Sequence, residues 1–530
     1  MLLLMNGGKK MNKFYISTAI AYASSKPHIG NTYEIVLADA IARYQRLIGN
    51  DVYFQTGTDE HGEKVQNKAN ERGVTPQVYV DDLQREIQRI WDLVGASYDR
   101  FVRTTDAEHK EKVGKIFEKL YEQGDIYKGE YNGWYCTPCE SFYTETQLVD
   151  GKCPDCGREV KIASEEAYFF KMSKYADRLI AYINANSKFL LPESRKNEML
   201  NGFLKEGLQD LCVSRTSFNW GVPVSFDKKH VVYVWIDALS NYITFLGYEP
   251  NGISTEKFNK FWPADIHLIG KDIFKFHAIY WPIILMALDL PLPKTIFGHP
   301  WILMDGGKMS KSTGKVLYAD DLIANFGVDA VRYYVLSEIP FSNDGLISNE
   351  LIIDKTNSDL VNVLGNLLNR TVAMTHKYFD GIVVRGNTAA PCDNELIALS
   401  LETKNKVNTY MGDYQISRAL DAIFELLRRA NKYVDETAPW ILAKDETNRD
   451  RLATVLYNLL ETIRYAAVLL QPFIPTTANN VLKQVNSINN DYQSLDKFGS
   501  LAEGIKLPLP TILFERIDKS EKLKELEKNE

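Results

Sequence analysis

Residues 14–31, FYISTAIAYASSKPHIGN, predict a strand, a turn and a helix in succession. Phe14–Ile20 is rich in aromatic and β-branched residues and predicts a buried strand, and turn-forming residues follow at 24–27. From Thr32 to Leu47, apolar residues recur at helical spacing and predict a helix. His28 therefore lies where a helix begins, and the unpaired N–H groups there favour a phosphate. Taken alone, the pattern is weak evidence for a nucleotide site, because a strand and helix that only pack in a sheet show it more often.

Composition sets the broad class. A chain of 530 residues is too long for one core and predicts about three domains. Hydrophobic content of 45% and charged content of 25% are typical of a globular protein. The net charge of −7 supplies no global positive field, so any nucleic-acid contact must use local basic patches.

The termini and cysteines indicate a compartment. The apolar segment Leu2–Met5 is far too short for a signal peptide, and no stretch of membrane-spanning length lacks charges. We therefore expect a cytoplasmic protein without a membrane segment. In the cytosol, its six cysteines would be reduced thiols or metal ligands rather than disulfides.

Strands and helices alternate through much of the first 300 residues. A second strand is predicted at Val52–Thr56, followed by GTDEHG at 57–62, a helix at Pro76–Val94 and a strand at Phe101–Arg103. Further strands are predicted at Val231–Trp235 and Asp265–Ile269. This alternation predicts a Rossmann-like α/β fold with a doubly wound parallel sheet, in which ligand groups follow the carboxyl ends of strands.

Four cysteines interrupt this domain in two Cys-x-x-Cys pairs, Cys136/Cys139 and Cys153/Cys156. Two such pairs can bring four thiolates around one zinc ion, whereas a redox dithiol would need only one pair. With four cysteine ligands and no open position, the site would be structural rather than catalytic.

A glycine-flanked basic loop follows at residues 302–317, ILMDGGKMSKSTGKVL. Lysines on such a loop suit the negative charge of a polyphosphate, although a solvated turn has the same composition.

Two of these segments together resemble a known family. PHIGN at 27–31 and KMSKS at 308–312, in this order across a β-α alternation, resemble the paired motifs that flank ATP in class I aminoacyl-tRNA synthetases. The resemblance implies ATP-binding roles for His28, Gly30, Asn31, Lys308, Met309, Ser310, Lys311 and Ser312. It further implies that His28, Asn31, Lys308 and Lys311 are catalytic, with Mg²⁺ bridging the phosphates.

Within that class, the chain is most similar to the methionyl-tRNA synthetases. It lacks room for the large editing domain of the isoleucine, valine and leucine enzymes, and GTDEHGEKV, SRTSFNWGVPV, YVWIDALSNY and GKDIFKFHAIYWP fall in the methionine family's order. The resemblance implies a methionine pocket in which Asp59 holds the ammonium and apolar walls hold the thioether. The implied residues are Ile20, Tyr22, Asp59, Trp235, Ala238, Tyr242, Ile273, His277 and Trp281. Arg215 matches a family arginine near the site.

The implied reaction is attack of the methionine carboxylate on the ATP α-phosphorus, then transfer of methionine to the 3′-terminal adenosine of tRNA(Met). Asn31 departs from the family, which usually has histidine there. The alternative function is therefore a tRNA-binding or zinc-scaffold relative that has lost catalysis.

Helical patterns dominate the chain after Leu351, with apolar stripes in residues 360–368, 420–430 and 452–463. A helical bundle there resembles the family's anticodon-binding domain, and the resemblance assigns Asn366, Arg370 and Trp440 to the anticodon. After Pro475 we expect polar loops and a solvated Lys/Glu tail. Because no dimerising module follows, we expect a monomer.

These inferences predict four regions. They are a Rossmann-like catalytic domain in two halves (11–116 and 231–300), a connective insertion with the zinc knuckle (117–230), the KMSKS loop with a stem-contact region (301–364), and a helical anticodon-binding domain with its tail (365–530).

Overall fold

The protein forms two compact units. A computed structural model describes residues 11–304, 307–308 and 316–529. The first unit comprises the chain up to Ala38 together with Asp51–His299, and the second comprises Asp39–Asn50 and the chain from Pro300 onward. The finer domain boundaries given above stay predictions.

Strands and short helices make up the first unit. Its strands are β1 (Lys13–Thr18), β2 (Ala21–Tyr22), β3 (Asp51–Asp59), β4 (Arg100–Arg103), β5 (Ile126–Cys136), β6 (Ser141–Tyr143), β7 (Lys161–Phe170), β8 (Leu190–Leu191), β9 (Leu211–Cys212), β10 (Ser214–Arg215), β11 (Val231–Val232), β12 (Ile266–Gly270) and β13 (Ile296–His299). Its helices are α1 (Ile29–Leu47, of which residues 39–47 are grouped with the second unit), α2 (Glu63–Arg72), α3 (Pro76–Leu93), α4 (Ala107–Glu122), α5 (Ala176–Ala185), α6 (Glu193–Glu198), α7 (Val234–Thr244), α8 (Glu256–Phe261) and α9 (Trp281–Ala287). Short 3₁₀ helices lie at Glu145–Gln147, Met172–Tyr175 and Lys271–Ile273, and π-helical segments lie at Met199–Leu204 and Phe276–Tyr280.

A parallel sheet organises this unit. Among the described residues it has seven strands, in the order β2-β3-β1-β12-β13-β8 with β4 also paired to β3. β1 lies between β3 on one side and β12 on the other, and both pairs are parallel. The connections thus wind in opposite directions from β1, which makes the carboxyl ends of β1 and β12 the place where such sheets bind ligands. The predicted doubly wound α/β fold is confirmed.

One predicted strand is wrong. Val231 and Val232 form β11, but β11 pairs antiparallel with β10 outside the parallel sheet. The chain turns into helix α7 already at Val234. The first four residues of VVYVW are buried in the structure. A short apolar run of this kind is expected both in a buried strand and at the start of a buried helix, and its periodicity cannot distinguish the two.

The cysteine-containing insertion is built on a second sheet. In the described part of the chain its four strands are antiparallel, in the order β6-β5-β7-β9. Cys136 is the last residue of β5, and Cys139 follows in the turn to β6. Cys153 and Cys156 lie in the loop between β6 and β7, where Lys152 forms bridges with Val149 and Glu159.

The second unit is mainly helical, as predicted. Its strands are β14 (Ile302–Met304), β15 (Gly307–Lys308) and β16 (Gly345–Leu346). Its helices are α10 (Ala319–Phe326), α11 (Val328–Glu338), α12 (Asn349–Lys355), α13 (Asn366–Phe379), α14 (Pro391–Gly412), α15 (Ile416–Thr437), α16 (Pro439–Leu442), α17 (Arg449–Leu470), α18 (Pro475–Gln484) and α19 (Lys519–Asn529), with a π-helical segment at Thr356–Gly365 and 3₁₀ helices at Glu446–Asn448 and Tyr492–Leu495.

Helix α17 is the core helix of this unit. Together with the 3₁₀ turn before it, it gives a segment (446–470) long and apolar enough to cross a membrane, but its apolar window is entirely buried inside the protein. The expectation of loops directly after Pro475 is wrong, because Pro475 takes the first position of α18, where its missing N–H costs no hydrogen bond.

Candidate active site

The segment after β2 forms the first part of the site. Helix α1 begins at Ile29, so His28, Gly30 and Asn31 surround its N-terminus as predicted. The backbone N–H of Gly30 donates to Nδ1 of His28 over 3.0 Å, and the backbone N–H of His28 donates to Oδ1 of Asn31 over 3.2 Å. Asn31 thus orders the turn that carries His28, a task that a hydrogen-bond acceptor can perform without positive charge.

Asp59 is the last residue of strand β3. Its Cα pairs with that of Tyr22 in β2, so the two side chains start from adjacent positions. Asp59 is only 8% exposed, and its Oδ1 is buried without a hydrogen-bond partner. Burial raises the pKa of Asp59 well above its usual value, and the nearby carboxylates of Asp237 and Glu140 raise it further. A bound cation would supply the missing partner and favour the ionised form.

A buried carboxylate holds the segment beside Asp59 in place. Asp237 on helix α7 accepts hydrogen bonds from Nδ1 of His61 over 2.6 Å and from Nε2 of His109 over 2.8 Å. Burial would raise the pKa of Asp237, but the charge of His61 and the hydrogen bonds from both histidines lower it to about 2. Asp237 therefore joins α7 and α4 to the turn that follows β3.

Aromatic side chains form the apolar part of the site. Trp235 on α7 stacks on Phe276, with 3.8 Å between ring centroids and 5° between ring planes. The His277 ring is edge-on to Trp235, with 6.2 Å between the two centroids. Tyr242, two turns further along α7, lies 5.8 Å from the rings of both His277 and Trp281. The Nε1 of Trp235 is buried without a partner. The structure thus brings together four of the predicted pocket residues.

Hydrogen bonds fix the proton positions within this group. Nδ1 of His277 lies 3.0 Å from the carbonyl of Ile273 and donates to it, so Nε2 accepts from the hydroxyl of Tyr242 over 2.8 Å. Burial lowers the pKa of His277 to about 4, so its ring is neutral at neutral pH. The wall is consequently uncharged, which suits an apolar side chain.

Three smaller predicted residues lie on the same segments. Ile20 is half-buried in the link between β1 and β2, Ala238 lies one turn after Trp235 on α7, and Ile273 ends the 3₁₀ turn after β12. One carboxylate beside neutral aromatic walls can select a ligand that has an ammonium group and an uncharged, poorly hydrogen-bonding side chain.

Arg215 contacts the cysteine-containing insertion. Its guanidinium carbon lies 3.9 Å from the ring centroid of Tyr135, and its Nε donates to Glu165 over 2.5 Å. Arg215 is almost fully buried, and its Nη1 has no hydrogen-bond partner.

The four cysteines converge as predicted. Their sulfur atoms lie within 4.8 Å of one another, with 3.6 Å between Cys136 and Cys156 and 3.9 Å between Cys139 and Cys153. A tetrahedral ion with sulfur ligands at about 2.3 Å requires sulfur separations of about 3.8 Å. Hydrogen bonding from Cys139 lowers the pKa of Cys136 to about 6, whereas burial raises that of Cys156 to about 11. A bound cation would stabilise the ionised thiolates, and the cluster is compatible with zinc.

The basic loop lies largely outside the described residues. Met309, Ser310, Lys311 and Ser312 are not among them, and for Lys308 the structure gives the backbone pairing with Leu303. Their predicted roles stay predictions.

The three residues assigned to the anticodon lie in the second unit. Asn366 begins α13, and Arg370 follows one turn later, so both share one face of the helix, and both are exposed. Nη2 of Arg370 lies 3.8 Å from Oδ1 of Asp435, near the end of α15. Trp440 follows in α16, and 40% of it is exposed. The ion pair places Arg370 near the segment that carries Trp440.

Sequence reasoning missed the contacts of four residues of the first unit. Phe276 and Asp237 lie inside quoted motifs, but nothing in their spacing indicated the stack on Trp235 or the contacts with two histidines. Glu140 and Lys275 also approach pocket residues, and although Lys275 lies inside the quoted GKDIFKFHAIYWP motif, no sequence signal indicated either contact.

Comparisons with known proteins agree with this geometry. The family model described as tRNA synthetases class I (M) matches residues 14–163 and 156–372, and the model of the anticodon binding domain of methionyl tRNA ligase matches residues 383–529. Methionine–tRNA ligase of Clostridium tetani is 60% identical over 97% of this chain and 80% of its own length. The chain belongs to the class I methionyl-tRNA synthetases.

Solved structures support the same family. Mycobacterium tuberculosis methionyl-tRNA synthetase in complex with methionyl-adenylate matches with a TM-score of 0.92 at 41% identity, covering 96% of this chain and 100% of that one. The same enzyme in its apo form matches with a TM-score of 0.84 at 38% identity. The predicted family and enzyme class are confirmed, and an inactive scaffold is not favoured.

Proposed function

We propose that this methionine–tRNA ligase forms methionyl-adenylate in the pocket of its first unit and passes methionine to the 3′-terminal adenosine of tRNA(Met). One observation carries the assignment of the pocket. A buried carboxylate with an unpartnered oxygen, Asp59, lies in the first unit with uncharged aromatic walls. Methionine offers the matching ammonium and thioether.

Asp59 binds the α-ammonium of methionine. The charge-assisted hydrogen bond orients the amino acid as well as holding it, because it fixes the direction of the neighbouring carboxylate. That carboxylate must face the α-phosphorus of ATP. Fixing this geometry accounts for much of the acceleration when no covalent enzyme intermediate is formed.

The thioether occupies the space between Trp235, Tyr242, His277 and Trp281. Its flexible, polarisable chain gains from contact with aromatic rings and asks for no strong hydrogen bond. Ile20, Tyr22, Ala238 and Ile273 complete the walls. The neutral state of His277 supports this assignment, because a charged ring there would disfavour burial of an apolar chain.

ATP binds at the N-terminus of α1, where His28, Gly30 and Asn31 face the phosphates. The family resemblance implies that Lys308 and Lys311 of the KMSKS loop, with Met309, Ser310 and Ser312, would contact the departing pyrophosphate, and Mg²⁺, when bound, would offset part of the phosphate charge. These groups stabilise charge that grows on the phosphates during transfer. The family's paired motifs support these roles.

Zinc is the ion we assign to Cys136, Cys139, Cys153 and Cys156. When bound, it neutralises the thiolates and fixes the turns that carry them, so the site is structural. The spacing of the four sulfurs supports the assignment.

The second unit binds the anticodon of tRNA(Met) through Asn366, Arg370 and Trp440. Exposed amide and guanidinium groups can bond to base edges, and an exposed indole can stack on an unpaired base. We further propose that the chain is a monomer in the cytoplasm, where reducing conditions keep its cysteines available to the metal.

Methionine-dependent exchange of pyrophosphate into ATP tests the function without tRNA. We expect exchange with methionine and none with leucine, and we expect Lys311→Ala to slow exchange by orders of magnitude while methionine binding persists. Absence of exchange in a zinc-loaded wild-type chain would instead favour the inactive scaffold.

A further inference from the structure

The cysteine-containing turns contact three separate segments that carry pocket residues. We call residues 136–156, with their four cysteines, the cysteine knuckle. It contacts the β2–α2 region, the start of α7 and the segment before α9, all within the first unit. These segments carry Tyr22, Trp235 and His277, which lie on different walls of the pocket.

Glu140 makes the first two contacts. It follows Cys139 directly, has left-handed backbone dihedrals (φ 51°) and is only 4% exposed. Its Oε1 accepts hydrogen bonds from the hydroxyl of Tyr22 and from the backbone N–H of Lys64, each over 3.1 Å. Its Oε2 accepts from the hydroxyl of Tyr135. The carboxylate thus ties Tyr22 and the start of α2 to the knuckle.

The backbone of Glu140 reaches the second wall. Its carbonyl accepts from the hydroxyl of Tyr233 over 2.6 Å. Tyr233 is the residue immediately before helix α7, two positions from Trp235. Glu140 therefore contacts both Tyr22 and the start of helix α7, which carries Trp235.

Space around this contact is filled. A Cβ at Gly62 would lie 2.8 Å from the hydroxyl of Tyr22 and 2.9 Å from Oε1 of Glu140. Gly62 follows the GTDEH segment that contains Asp59, so Glu140 packs against that segment too. If the knuckle shifted, the segment that contains Asp59 would have to shift with it.

Asp155 makes the third contact from the other cysteine pair. Its Oδ2 accepts from the hydroxyl of Tyr143 over 2.7 Å and lies 3.4 Å from Nζ of Lys275. The Lys275 side chain is only 17% exposed, and its Nζ lies 5.2 Å from the ring centroid of Phe276. Phe276 stacks on Trp235, and His277 follows it.

We propose that Glu140 and Asp155 are positioning residues through which the cysteine knuckle sets the shape of the methionine pocket. This inference rests on the proposed function. Glu140 belongs to the Cys136/Cys139 turn and Asp155 to the Cys153/Cys156 turn, so their separation depends on the four sulfurs being held together. When the four sulfurs are held together, Tyr22, Trp235 and His277 are held at the separations that fit a methionine side chain. The affinity for methionine therefore depends on the cysteine knuckle.

The test measures methionine binding directly, by equilibrium dialysis of labelled methionine against the zinc-loaded full chain. We expect Glu140→Gln to raise the Kd for methionine about tenfold, the lower end of what loss of such a supporting contact costs. Zinc content, the melting temperature and the KM for ATP should stay close to wild type. Asp155→Asn should act in the same direction.

Glu159→Gln is the matched control. Glu159 is an acidic residue just after the knuckle whose side chain is 82% exposed and pairs with Lys152, so we expect wild-type methionine binding. A double variant, Tyr22→Phe with Glu140→Gln, should bind methionine little worse than the single variant that binds it more weakly. Both changes act on one hydrogen bond, since Tyr22→Phe removes its donor and Glu140→Gln replaces a charged acceptor by a weaker neutral one.

Several results would overturn the proposal. Unchanged methionine affinity in both Glu140→Gln and Asp155→Asn would do so, as would loss of zinc from Glu140→Gln, which would place Glu140 at the metal site. Fully additive effects in the double variant would exclude the Tyr22 contact. Methionine binding and pyrophosphate exchange are measured first in the wild-type protein. If the wild type shows neither, the proposed function itself is wrong, and the variants then say nothing about Glu140 or Asp155.

Discussion

The residues proposed for the methionine pocket and those proposed for the anticodon differ in how the fold presents them. The proposed pocket residues are buried or half-buried, and four of them are in ring contact. Some of their buried polar atoms, such as Oδ1 of Asp59, have no hydrogen-bond partner. Asn366, Arg370 and Trp440 are exposed on helices of the second unit. A small molecule is enclosed by its site, so the buried groups of that site indicate the chemistry of the ligand. A tRNA binds on an open surface, and the exposed polar residues there resemble those of any other protein surface.

The difference predicts separable defects. Changes in the pocket should damage adenylate formation and therefore every later step. Changes on the helical surface should damage tRNA charging and leave adenylate formation intact.

Asp59→Asn should have the largest effect. The amide keeps the shape but loses the charge that pairs with the ammonium, and removal of one partner of a buried charge pair costs about 2–5 kcal/mol. We expect exchange at limiting methionine to fall by about 10²–10³-fold.

Asp51→Asn is its control on the same strand. Asp51 begins β3, is 32% exposed in its side chain and pairs with Lys260. It should keep wild-type exchange, and equal losses in the two variants would show that β3 is merely destabilised.

Trp440→Ala should have the next largest effect. Stacking of one base on an aromatic ring is worth about 1–3 kcal/mol, so tRNA charging should fall by about 10–100-fold in kcat/KM. Exchange should not change. Ile441→Ala removes the neighbouring exposed side chain, and a similar loss in that variant would argue against stacking.

Asp237→Asn should have the smallest effect on activity but a distinct pH signature in stability. The pKa of Asp237 is lowered to about 2 in the folded chain from an ordinary 3.8, so its ionised form stabilises the fold fully above about pH 4. That contribution, about 2 kcal/mol, is lost as the pH falls towards 2. The asparagine in Asp237→Asn has one side-chain oxygen, so it can accept a hydrogen bond from only one of His61 and His109.

Acid unfolding followed by tryptophan fluorescence measures this effect. The variant should be less stable than wild type at pH 6, and the difference should shrink below pH 4. Glu108→Gln, an exposed position next to His109, should match wild type throughout. A difference that stays constant down to pH 2.5 would contradict a role for the Asp237 charge.

Much of this organisation could be predicted from the sequence. Alternating strands and helices gave the parallel sheet, because periodicity is local, and the Cys-x-x-Cys pairs predicted a four-sulfur cluster through their spacing. The strand assigned to Val231–Trp235 failed because a short buried run looks alike in strand and helix. Glu140, Lys275 and the histidines on Asp237 could not be predicted, since their contacts join segments far apart in the chain.

The pocket residues themselves came from the family resemblance, not from the pattern. For any single aromatic residue, burial in a core is the better explanation of the sequence. The structure brings Trp235, Tyr242, His277 and Trp281 together, which a sequence pattern alone could not do.

The most direct test of the two-site account is the ratio of tRNA charging to pyrophosphate exchange, measured in the same preparations of Asp59→Asn and Trp440→Ala. We predict that Asp59→Asn lowers both rates together, leaving the ratio near that of wild type, and that Trp440→Ala lowers the ratio by about 10–100-fold through charging alone. A Trp440→Ala variant that loses exchange and charging in equal measure would contradict the account.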